Sequence, residues 1–215
     1  YSGCGLPYYI SGVVSKQTDL ISSSLKQVRD PVFFQNVKNV ITMNRTEAIE
    51  IDRKKKRVKI KSLSSNIEKY LEYDSLVLAT GSEPIVPNIE NIKEYKEIFT
   101  LHGVHDAEKI KAILTPSQAK DVVIIGGGLL GVEITEALKN KGCRVSIIEK
   151  EKRILNTLID EEMSLLVEKY MEENGVKIFT DTTVLSFNKI STEEQSSVKN
   201  EFFKNNNKLF IRTNK

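Results

Sequence analysis

The stretch "DVVIIGGGLLGVEITEALKNKGCRVSIIEK", residues 121–150, decides the fold. It begins with a continuous apolar run, Val122 to Ile125, of the kind a buried parallel strand requires. A glycine-rich run follows, Gly126-Gly127-Gly128-Leu129-Leu130-Gly131, and then Leu130, Ile134 and Leu138 recur at i, i+4 and i+8, the spacing of one helix face. A second apolar strand, Val145 to Ile148, ends on Glu149. Strand, turn, helix and strand in that order spell a βαβ unit whose turn carries the pattern G-x-G-x-x-G.

Each glycine of the pattern has a mechanical task. Gly126 makes the tight turn, Gly128 lets the backbone approach a pyrophosphate, and Gly131 lets the helix pack closely. Gly127, Leu129 and Leu130 complete the loop that would cradle the diphosphate, which sits on the helix N-terminus where free N–H groups and the helix dipole favour negative charge. Glu149 stands at the end of the second strand, where an acid accepts hydrogen bonds from an adenosine ribose. Its charge repels a 2′-phosphate, so the reading favours NADH. Lys150, Lys152 and Arg153 follow at once and keep NADPH open as the second option.

A chain of 215 residues with 40% apolar residues has material for one large or two modest domains with a proper core. No apolar run approaches the roughly 20 residues that span a bilayer, and the N-terminus lacks the layout of a signal peptide, so the expectation is no membrane and a cytoplasmic setting. The net charge of +3 owes most of its excess to Arg53-Lys54-Lys55-Lys56-Arg57-Val58-Lys59-Ile60-Lys61. Ile49, Ile51, Val58 and Ile60 flank that run with strand-like alternation, which makes it a solvated hairpin rather than a nucleic-acid patch. Two cysteines, Cys4 and Cys143, form neither a disulfide framework nor a zinc pattern, and no metal is expected. The first residue is Tyr1 and the chain closes on "KLFIRTNK", which reads as a strand lacking its continuation; the expectation is a piece of something longer.

Upstream, "YDSLVLATGSEPIVPNI" reads as a strand, Leu76 to Ala79, running into Thr80-Gly81 and a proline-punctuated exit. Taken in order, "CGLPYYISG", "TEAIEIDRKKKRV", "YDSLVLATGSEPIVP" and "VVIIGGGLLGVE" resemble the pyridine nucleotide-disulfide oxidoreductases, and within them the single-cysteine branch of coenzyme A-disulfide reductase, NADH oxidase and NADH peroxidase. The resemblance implies an α/β, two-domain Rossmann-like fold binding FAD and NAD(P), incomplete at both ends. Residues 1–100 would be part of the FAD-binding domain and 101–215 a C-terminally truncated NAD(P)-binding domain. It also implies a homodimeric parent acting on a small-molecule substrate: a disulfide, oxygen or peroxide.

Carried over position by position, Ala79, Thr80 and Gly81 match the strand end beside FAD, and Ala48 matches a residue whose backbone meets the adenine. Glu133 matches an acid on the first turn of the glycine-loop helix, near the nicotinamide. Leu129 replaces a tyrosine that often gates nicotinamide access, Gly3 stands where coenzyme A reductases can carry an asparagine, and Lys38 aligns with a lysine that meets coenzyme A phosphate. Cys4 matches the single redox thiol that shuttles between thiolate and a mixed disulfide or sulfenic acid while flavin and NADH supply the electrons. The residues add a physical reason: Pro7 suits the first turn of a helix, and free N–H groups at a helix N-terminus favour a thiolate. Cys143 reads as a small semi-buried thiol without a role. The alternative is a non-catalytic NAD-binding module or remnant that keeps only the βαβ unit, and a nucleophilic thiol is what such a module would not need.

Overall fold

The computed structural model describes residues 1–114, 120–189 and 209–214, so most of the polar run over 188–207 lies outside the described residues. In chain order the helices are α1 (Leu6–Ser11), α2 (Pro31–Lys38), α3 (Val104–Ile113), α4 (Leu129–Asn140) and α5 (Glu161–Glu173). The strands are β1 (Thr46–Asp52), β2 (Arg57–Ser62), β3 (Glu68–Glu72), β4 (Asp121–Ile125), β5 (Arg144–Ile148), β6 (Lys177–Phe179), β7 (Val184–Lys189) and β8 (Leu209–Thr213). These elements fall into two units, one of Tyr1 with Ile21–Glu83 and one of Ser2–Leu20 with Pro84–Lys215.

The first unit is built on an antiparallel meander, β1-β2-β3. The basic run forms its first turn: Asp52 pairs with Arg57 across the hairpin, and the Asp52 carboxylate accepts from the Lys55 N–H at 3.0 Å and from Arg57 Nε at 3.2 Å. The Lys55 N–H, followed by Arg57, holds the Asp52 carboxyl below the usual carboxylate range. The Arg57 guanidinium lies 3.9 Å from the centroid of the Tyr70 ring. α2 begins because Asp30 caps it, accepting from the Phe33 N–H at 2.8 Å, with Pro31 at the first helical position where a missing N–H costs nothing.

One expected element is absent. Leu76–Ala79 forms no ladder among the described residues, and Val77 and Leu78 are 83% and 70% exposed. An apolar run becomes a strand only when a neighbouring strand takes up its N–H and C=O groups, and no described strand does so here.

The second unit holds the parallel sheet, in the order β4-β5-β6, with α4 crossing from β4 to β5 and α5 from β5 to β6. β4 and β5 run in register from Asp121↔Arg144 to Ile125↔Ile148. The first pair is reinforced by Arg144 donating from Nε at 2.7 Å and Nη2 at 2.9 Å to the Asp121 carboxylate. Buried Ile134, Ala137 and Leu138 of α4 meet buried Val145 and Ile147 of β5 in the main core. Each of the Val, Leu and Ile side chains among them contributes about 1.5–3 kcal/mol when fully buried.

That core also takes in Leu6, Tyr9 and Ile10 of α1, together with Leu20 and Ala107. The short helix behind Cys4 therefore packs in the same body as the βαβ unit, against α3 and α4. A smaller core gathers Ile89, Ile148, Val184 and Phe187 where β7 pairs antiparallel with β8. The closing residues do form a strand, as their sequence predicts, and its ladder partner is β7.

Candidate active site

The glycine-rich turn is fixed by geometry that no larger residue could meet. Gly126 sits at φ +109°, a conformation that side-chain-bearing residues avoid, and its N–H donates to the Ile148 carbonyl at 2.9 Å. A Cβ on Gly131 would lie 2.1 Å from the Gly126 carbonyl oxygen, so the helix closes on its own turn only because that position is glycine. Gly128 is the extended N-cap of α4, and a Cβ there would meet nothing within 4 Å, which leaves its backbone open to an approaching group. No residue of the first helical turn carries an acid, so the N–H groups at the start of α4 face no competing carboxylate from that turn.

Glu149 lies against this turn. One carboxylate oxygen accepts from the Gly127 N–H at 2.6 Å and the other from the Glu151 N–H at 2.9 Å. The acid is thus oriented by backbone donors, with further lone pairs on each oxygen for a ribose hydroxyl. Of the basic residues that follow, Lys150 pairs with Glu151 at 3.6 Å, and Arg153 donates from Nη2 to the Asn156 carbonyl at 3.1 Å.

Cys4 lies in a single 3-10 turn, Gly3–Gly5, that runs directly into α1, with Pro7 at the second helical position. The thiol is exposed. A cleft lined by Cys4, Tyr8, Ser11, Glu133, Glu136 and Asn140 brings the sulfur and Glu133 onto one surface of the second unit. Glu133 stands one turn inside α4 rather than on its first turn, because Gly128 is extended and the helix starts at Leu129.

Tyr8, Ser11, Glu136 and Asn140 were not singled out by the sequence. Their signal is helical spacing from residues that were: Glu136 and Asn140 fall three and seven positions after Glu133 on α4. The other candidates lie in the first unit. Ala48 is exposed on β1, where the register slips between Ala48 and Glu50. Ala79, Thr80 and Gly81 are exposed in irregular chain. Lys38 is the last residue of α2, where a cation also suits the helix C-terminus.

Cys143, by contrast, is buried at 5% exposure, and burial pushes its thiol up from the ordinary range despite the neighbouring Lys120. Near the cleft helix, Lys111 holds its ammonium 3.7 Å from the Tyr9 ring centroid; burial, then Lys141, pushes it down.

The family model for pyridine nucleotide-disulphide oxidoreductases matches residues 1–209, and the chain belongs to this family. The NADH oxidase of Methanocaldococcus jannaschii is 31% identical over 178 residues, covering 83% of this chain and 38% of that protein. The CoA-dependent NAD(P)H sulfur oxidoreductase of Pyrococcus abyssi is 32% identical over 174 residues, 81% of this chain and 36% of that protein. Among solved structures, an NAD-dependent persulfide reductase from A. fulgidus superposes with a TM-score of 0.77 at 40% identity, over 86% of this chain and 34% of that one. The chain thus spans well under half the length of the relatives it matches. Its fold is the Rossmann-like α/β architecture of FAD- and NAD(P)-binding oxidoreductases. Among the described residues, no helix is long and apolar enough to cross a membrane.

Proposed function

We propose that this chain is the part of a FAD-dependent NAD(P)H oxidoreductase that carries both its nicotinamide dinucleotide turn and a single redox-active cysteine, Cys4. The observation that carries the reading is the cleft in which an exposed thiol and Glu133, on the helix that starts at the glycine-rich turn, share one surface. Residues 101–215 supply the NAD(P)-binding domain and residues 1–100 part of the FAD-binding domain, with Ala48, Ala79, Thr80 and Gly81 as its flavin-side backbone. The whole protein is a homodimer in the cytoplasm.

The residues fit such ligands: the start of α4 offers free N–H groups beside an unobstructed Gly128, and Glu149 offers carboxylate lone pairs at the strand end. When bound, the two dinucleotides supply hydride and two-electron transfer. Cys4 supplies the nucleophile. Its thiolate attacks one sulfur of a disulfide substrate, forms a mixed disulfide and expels the other sulfur as a thiolate; two electrons and a proton then cleave the mixed disulfide, restoring the Cys4 thiolate and releasing the second half of the substrate as a thiol. With a peroxide, Cys4 takes one oxygen as a sulfenic acid and releases water or alcohol. Coenzyme A disulfide fits the disulfide role, with Lys38 as a phosphate contact. The related names, spanning NADH oxidases and sulfur reductases, support the oxidoreductase class and leave the acceptor to experiment.

The test is NADH consumption by the full-length protein with coenzyme A disulfide, oxygen and peroxide, in wild type and in Cys4→Ser. We expect Cys4→Ser to bind NADH as wild type does and to lose disulfide and peroxide turnover by at least about a hundredfold, since the displaced sulfur chemistry has no other exposed thiol among the described residues. Unchanged turnover of all three acceptors would falsify the role of Cys4.

A further inference from the structure

Helix α5 takes no part in the glycine-rich turn by sequence, yet two of its side chains grip the segment that lies over that turn. Ser164, wholly buried, donates its hydroxyl to the Ile154 carbonyl at 2.6 Å. One helical turn on, Glu168 Oε1 accepts from the Ile154 N–H at 2.9 Å. Both backbone groups of Ile154 are thus held by one face of α5, and Ile154 itself is 0% exposed.

Ile154 presses on the turn. A Cβ on Gly127 would come within 2.6 Å of Ile154 Cγ2, so the isoleucine occupies the space a side chain at 127 would need. The next residue, Leu155, is held in the left-handed region at φ +53°, and its N–H donates to the Gly127 carbonyl at 2.8 Å. Leucine adopts that conformation only where its surroundings impose it. Since the Gly127 N–H already goes to Glu149, both polar groups of Gly127 are engaged: Glu149 holds the Gly126–Gly127 peptide and Leu155 the Gly127–Gly128 peptide.

We infer that Ser164 and Glu168 are positioning residues for dinucleotide binding: through Ile154 and Leu155 they fix the Gly127–Gly128 peptide, and with it the direction in which Gly128 and the start of α4 present their N–H groups. The inference rests on the nucleotide reading proposed above and adds to it a second set of contacts, remote from the ligand, that sets affinity. The device acts on binding and leaves chemistry alone, because neither side chain is among those lining the Cys4 cleft.

The experiment is anaerobic stopped-flow reduction of the full-length flavoprotein by NADH, read as a dissociation constant from the dependence of the flavin-bleaching rate on NADH concentration, alongside steady-state KM and kcat. Ser164→Ala and Glu168→Ala each remove one hydrogen bond to Ile154 and should raise Kd and KM for NADH roughly three- to tenfold with kcat within about twofold of wild type. Glu168→Gln keeps an acceptor for the Ile154 N–H and should retain wild-type affinity, which separates the hydrogen bond from the charge. Met171→Val shortens another buried side chain of the same helix without removing either hydrogen bond to Ile154, and should lower Tm without moving Kd. The inference is overturned if Ser164→Ala and Glu168→Ala bind NADH as wild type does, or if Met171→Val weakens binding equally. A wild-type protein that NADH does not bleach overturns the nucleotide reading itself, and this inference with it.

Discussion

At the scale of single residues, Gly131 is the least replaceable position of the turn. A methyl group there would need to occupy space 2.1 Å from the Gly126 carbonyl oxygen, which is backbone and cannot swing aside. Gly131→Ala should therefore cost on the order of 1–3 kcal/mol or more in stability. It should also weaken NADH binding at least about tenfold, since opening the turn by even part of an ångström moves the N–H groups. Thermal denaturation and NADH titration check both parts. Cys143 makes a prediction of a different kind. Burial raises its folded pKa above the unfolded value, so below the thiol's ordinary ionisation both states hold the proton and the site's stability is intact. As pH climbs past that range the unfolded chain releases its proton first, and stability falls. Urea midpoints measured between pH 7 and 10 should decline for this reason, and Cys143→Ala should flatten the decline.

At the scale of elements, α1 shows how a six-residue helix with little stability of its own is kept in place by packing. Ile10 is fully buried against the main core. Ile10→Ala should cost about 2–5 kcal/mol, and because the same helix begins directly after the Cys4 turn and lines the cleft with Tyr8 and Ser11, the loss should appear both as a lower Tm and as slower disulfide turnover. Legibility in the sequence also divides along element lines. The βαβ unit could be read because its strands, turn and helix each carry their own local period, and Leu130, Ile134 and Leu138 announce the helix before any tertiary contact is known. Leu76–Ala79 has the composition of a strand, but a strand is completed by a neighbour that the composition cannot supply. The docking of α1 on α4 joins residues over a hundred positions apart, with no periodicity linking them. The grip of Ser164 and Glu168 on Ile154 is a side-chain-to-backbone contact, and such contacts leave no pattern behind. Gly127 came closest to being legible: three glycines stand where the dinucleotide pattern requires two.

At the scale of the whole molecule, cofactor choice depends on the balance around the end of β5. Glu149 is held against the glycine-rich turn by two backbone donors, which makes it a negative charge fixed at this strand end, while Lys150 pairs with Glu151 and Arg153 donates to the Asn156 carbonyl. The full-length protein should show a kcat/KM for NADH at least about tenfold above that for NADPH, the size of effect a single desolvated charge mismatch brings. Glu149→Gln should narrow the gap, and an equal or higher kcat/KM with NADPH in wild type would reverse the assignment. The two thiols leave one more consequence. Cys4 is open to solvent and Cys143 is buried just before β5, so within these 215 residues a maleimide reagent meets one address. The chain comes with a ready attachment point for a dye or spin label, placed by the fold among the residues that line the cleft.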